Sequence, residues 1–94
     1  MIRLNAFFEV NEGVDLKQVK ALADELVEKS RKDEGNHGYD LFVSATKPSA
    51  FMFCETWEND EVLDKHSNAE HFTRIVPQIA KLCKVQMKIE RFDK

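Results

Sequence analysis

Four segments of this chain alternate apolar and polar residues at period two, and two others place apolar residues every three or four positions. That order of periods limits the folds open to the chain more than any motif does. Ile2, Leu4, Ala6, Phe8 and Val10 alternate with Arg3, Asn5, Phe7 and Glu9, predicting a first strand over 2–10. Asn11-Glu12-Gly13 breaks it, and Asp15 opens a helix to about Arg31 whose apolar stripe is Leu16, Val19, Leu22, Leu26. Asp33-Glu34-Gly35-Asn36 reads as the stop and turn after it. A second strand is expected over 37–46, a hairpin connection at Lys47-Pro48-Ser49, and a third strand over 50–58. Asn59 or Asp60 caps a short helix reaching His66. Ser67-Asn68 can then cap a longer one striped by Phe72, Ile75, Ile79 and Leu82. Pro77 lies inside that helix and predicts a kink or a break. Alternation returns over 85–92 for a fourth strand.

The resulting order, β-α-β-β-α-β, is that of a ferredoxin-like α+β domain: a four-stranded antiparallel sheet with helices on one face. With 94 residues, a single domain over 1–94 is expected. Such a sheet should show a polar outer face. Here strand one offers Phe7 on its second side, and strand three offers Met52 and Cys54 behind Phe51, Phe53 and Trp57. Both faces are apolar, so a homodimer joined through the sheet face is expected.

Bulk properties exclude several function classes. The net charge is −3 and lysines and arginines are scattered among acids, which gives no track for nucleic acid. No apolar run approaches the ~20 residues that span a bilayer, and the amino terminus enters a strand pattern directly, so no membrane partner and a cytoplasmic location are expected. Cys54 and Cys83 show no CxxC spacing and read as buried thiols. Three histidines at irregular spacing leave a metal site unsupported, and no glycine-rich loop cradles phosphates.

Potential chemistry concentrates in FMFCETWENDEVLDKHSNAEHF, Phe51 to Phe72. Strand parity puts Glu55 and Trp57 on one face with Phe51 and Phe53, and the following helix can carry His66 toward them. A carboxylate bonded to an imidazole builds a general base near neutral pH, so Glu55 is expected to orient His66. Asn5, on the neighbouring strand, could hold an oxyanion if the register permits. Trp57 and Phe53 could stack on a planar substrate, with Tyr39 and His71 also at hand. Structural roles stand beside each of these: a salt-bridged Glu55, a core Trp57, a helix-capping His66, a surface His71, a strand-packing Tyr39, and an Asn5 that is merely hydrogen-bonded.

The strand end ETW, then His66 in DKH, then NAEHF with His71 and Phe72, resembles the antibiotic biosynthesis monooxygenase family of dimeric α+β barrels. EGNHGYDLF, Glu34 to Phe42, is similar to that family's turn into strand two, and the proline in the last helix also fits. The resemblance implies a cofactor-independent monooxygenase acting on a small quinol-like or enolisable aromatic compound with O2, with no cofactor and no metal. His66, Glu55 and Asn5 would be catalytic, and Trp57, Tyr39, Phe53 and His71 would bind substrate. Other branches degrade haem or isomerise a phosphorylated diketone. The haem-degrading branch has its axial histidine where this chain has Val76, which argues against that ligation. An isomerase or tautomerase of a small diketone, or a non-catalytic ligand-binding dimer, remains the alternative.

Overall fold

A computed structural model describes residues 1–94. The elements are β1 (Ile2–Glu9), α1 (Leu16–Ser30), β2 (Asn36–Val43), β3 (Ala50–Trp57), α2 (Asp60–Ser67), α3 (Glu70–Leu82) and β4 (Lys88–Asp93). The sheet order is β2-β3-β1-β4 with every neighbouring pair antiparallel, which is the ferredoxin-like α+β arrangement. Asp15 caps α1 by accepting from the Lys17 amide at 3.0 Å, and Asn59 caps α2 by accepting from the Val62 amide at 3.0 Å. Each satisfies an amide that the first helical turn would otherwise leave unpaired.

Three local expectations need correction. Ser67 and Asn68 do not open α3. Ser67 Oγ donates to the Leu63 carbonyl at 3.1 Å and Asn68 Nδ2 to the Asp64 carbonyl at 2.8 Å, so both close α2. The α3 N-cap is Ala69, with no side-chain cap. Pro77 does not break α3, which runs continuously from Glu70 to Leu82. It lies on the exposed face, where water can serve the carbonyl that loses its amide partner. Finally, β4 begins at Lys88 rather than Val85. The Asn11 amide donates to the Leu82 carbonyl at 2.8 Å and the Lys84 amide to the Glu9 carbonyl at 2.9 Å. The chain leaving α3 is thus tied to the end of β1, and residues 85–87 are unpaired before pairing resumes at Phe7 and Lys88.

The core lies between the helices and one face of the sheet. Val19, Leu26, Trp57, Ile75 and Ile79 are fully enclosed there. Phe8 stacks on Phe51 and Phe53 at ring-centroid distances of 5.0 and 5.4 Å, which fixes the far end of that face. On the opposite face Phe7, Phe42 and Phe92 are 37%, 49% and 49% exposed, so the chain alone leaves this second apolar surface uncovered. No helix is long and apolar enough to cross a membrane.

Candidate functional site

The site is assembled from one strand end, two helix ends and a turn. Alternation along β3 turns Phe53, Glu55 and Trp57 toward the helices, all three buried. Tyr39 of β2 stands directly opposite Glu55 in the strand pairing and therefore shares that face. His66 comes from the last turn of α2 and His71 from the first turn of α3. Asp33 comes from the turn after α1, which Gly35 holds at φ +76°. A Cβ at Gly35 would meet Val62 Cγ2 of α2 at 2.5 Å, so only glycine lets this turn lie against the helix that carries His66.

These groups surround a cavity of about 350 Å³ between α2, α3 and the β1–β4 side of the sheet. Ten of its fifteen lining residues are hydrophobic, Phe53, Phe72, Val76 and Met87 among them; Tyr39, Glu55 and His66 bring polar groups to the wall. An apolar cleft with a few convergent polar groups is the usual form of a small-molecule site.

His66 is 1% exposed. Its Nδ1 lies 2.9 Å from Asp33 Oδ2, and His71 Nε2 lies 2.8 Å from the same oxygen. An ionised carboxylate only accepts, so Nδ1 of His66 carries the proton and Nε2 presents its lone pair. That Nε2 is buried and has no protein partner. Burial pushes the His66 pKa below its ordinary value against the opposing pull of Asp33, with the charge of His71 lowering it further, so the ring is neutral at neutral pH.

Glu55 behaves in the opposite sense. Burial raises its pKa to about 7, while the Trp57 and Tyr39 donors hold it back from rising further. Trp57 Nε1 donates to Glu55 Oε1 at 2.9 Å. Burial, with the charge of Glu55 adding to it, also pushes the Tyr39 phenol well above its usual range, so it stays a donor. The cavity wall therefore pairs a neutral imidazole with a carboxyl near half-protonation.

Several sequence expectations come out differently. Glu55 does not orient His66; Asp33 does, and Glu55 is engaged by Trp57 instead. Asn5 pairs with Cys54 across β1–β3 and so lies on the outer face, away from the cavity. Its parity with Arg3 and Phe7 already carried that signal. Trp57 is fully buried and does not line the cavity; its ring packs behind His66 at a centroid distance of 4.3 Å. His71 stands behind the wall too, on Asp33. Tyr39 and Phe53 do line the cavity, together with Val76. Asp33 reads in the sequence as a turn residue only, since its contacts span 33 and 38 positions.

Residues 1–78 match the family described as antibiotic biosynthesis monooxygenase, and the chain belongs to that family. A crystal structure of an antibiotic biosynthesis monooxygenase superposes with a TM-score of 0.94 at 34% identity, covering 100% of this chain and 98% of that one. A conserved Bacteroides thetaiotaomicron protein of unknown function, described as a possible oxidoreductase, is 43% identical with a TM-score of 0.89, over 99% and 96% of the two chains. The protein named "Putative monooxygenase YcnE" of Bacillus subtilis is 29% identical over 93 residues, 99% of this chain and 97% of that one.

Proposed function

We propose that the protein is a homodimeric monooxygenase that oxidises a small quinol-like or otherwise enolisable ring compound with O2, without a cofactor. The observation that carries this reading is the buried, unpartnered Nε2 of His66, a residue that lines an apolar cavity large enough for such a ring. Family membership and the oxygenase names of its relatives support the reaction class.

His66 Nε2 takes a proton from the activated carbon of the substrate, and Asp33 stabilises the imidazolium that forms. Glu55 in its protonated form donates to the oxyanion, the role that Asn5 cannot fill from the outer face. The substrate anion passes an electron to O2, and the two radicals combine to a peroxide. Loss of water from a ring methylene then leaves a carbonyl, so CH2 and O2 become C=O and H2O. The substrate supplies all the electrons. Phe53, Phe72 and Val76 keep the anion from bulk water.

The dimer of this reading forms across the outer sheet face, where Phe7, Phe42 and Phe92 supply the apolar surface.

Purified protein should consume oxygen with a reduced quinone, and His66→Ala should lose roughly 10²–10⁴ of that rate. Undiminished turnover in the variant overturns the assignment of the base. Substrate hydrogen exchange under strict anaerobiosis with no oxygen uptake under air would replace the oxygenase by an isomerase.

A further inference from the structure

Asp33 Oδ2, His66 Nδ1 and His71 Nε2 converge from three separate parts of the chain, all within 4.8 Å of one another. Asp33 forms no ion pair with a lysine or arginine; its side-chain partners are the two imidazoles. We propose that these three residues form a site for a borderline divalent cation such as Zn2+ or Co2+, and that its occupation converts His66 Nε2 from a proton acceptor into a proton donor.

The donor set, two imidazoles and one carboxylate, suits such ions. Tetrahedral ligands, each about 2.1 Å from an ion, stand about 3.4 Å apart. The two nitrogen–oxygen separations, 2.9 and 2.8 Å, are hydrogen-bond distances, so an ion enters only as the side chains part by about 0.5 Å. The Asp33 and His71 side chains are 20% and 13% exposed, so an ion has a path from solvent on the side of the His66 ring remote from the cavity.

The switch follows from the chemistry of one ring. Nδ1 can hold a proton for Asp33 or a cation, never both. When the cation takes the Nδ1 lone pair, a neutral imidazole must carry its proton on Nε2. The buried nitrogen that otherwise carries an unpartnered lone pair then carries an N–H.

The test uses the full chain, with Co2+ followed by absorbance and Zn2+ by calorimetry. Uptake of one equivalent is expected, weakened at least tenfold by Asp33→Asn and by His71→Gln, each checked for native circular dichroism. His37→Gln, at an exposed surface histidine, should bind as the wild type does. Long-range 1H–15N spectra should show the His66 proton on Nδ1 without Zn2+ and on Nε2 with it. Absence of saturable uptake, equal uptake by the Asp33 and His71 variants, or a proton that stays on Nδ1 overturns the proposal. The effect on turnover rests on His66 being the base: Zn2+ should then inhibit oxygen uptake, and a chelator should restore it. Saturable binding without inhibition would sink the base and leave the site standing.

Discussion

Along β3, Phe53, Glu55 and Trp57 turn inward and are buried, whereas Met52, Cys54 and Thr56 turn outward beside the exposed Phe7, Phe42 and Phe92. The same eight residues thus serve two surfaces of opposite construction. The inner face spends its aromatic rings on enclosing ionisable groups. The outer face of the single chain leaves its rings exposed and sets Arg3, whose Nη2 donates to Cys54 Sγ at 2.7 Å, among them. Burial is what gives a carboxyl or an imidazole an unusual proton affinity, so the inner face is where proton transfer can be tuned. The outer face offers area and little chemistry.

The largest test of this contrast is stability. Trp57→Ala should cost about 3–5 kcal/mol, because it empties a filled site and strips Glu55 of its donor. Phe7→Ala should cost under about 1 kcal/mol in the dilute monomer and instead weaken self-association. Chemical denaturation and sedimentation at several concentrations measure the two, and equal losses of stability would erase the distinction.

A second test concerns pH. Glu55 has a folded pKa raised to about 7 from 4.5, so its contribution to stability is fully present below 4.5 and is lost as pH rises through 7. That loss amounts to about 3 kcal/mol. His66, with a lowered pKa, acts in the other direction and loses stability as pH falls below its ordinary value of 6.5. Glu55→Gln leaves the His66 effect in place, so the difference between variant and wild type isolates Glu55. The variant should gain about 3 kcal/mol relative to wild type between about pH 4.5 and about pH 8, by denaturation at each pH. Parallel curves would place the Glu55 carboxyl in water.

The third test is of turnover. Asp33→Asn should lower it about 100-fold through the lost orientation of His66, whereas Asn5→Ala, at concentrations that keep the dimer intact, should leave it at the wild-type level. A loss at Asn5 to match that at Asp33 would mean that the outer face takes part in the chemistry after all.

What could be read from the sequence follows from the range of each interaction. The element order and the shared face of Phe53, Glu55 and Trp57 rest on periodicity, which any eight residues display. The hydrogen bond from Trp57 to Glu55 spans two positions and lay within reach of the same reasoning. Choosing the partner of His66 was different, since Glu55 and Asp33 are both carboxylates and only the packed turn decides between them. The alternation of Asn5 with Leu4 and Ala6, not the identity of its neighbouring strand, sets the face on which it stands. The end of α2 and the late start of β4 depended on side-chain and backbone bonds that period alone does not encode.

The absence of a side chain at Gly35 divides the site into parts that can vary and parts that cannot. Leu63, Val76, Met87 and Ile89 line the open cavity, where a change of side-chain size has space beside it. The carboxylate that steers His66 hangs from a turn pressed against Val62, where even one methyl group has no room. The shape of the cavity can therefore be altered from its wall, while the orientation of the imidazole hangs on a point of contact that tolerates no side chain at all.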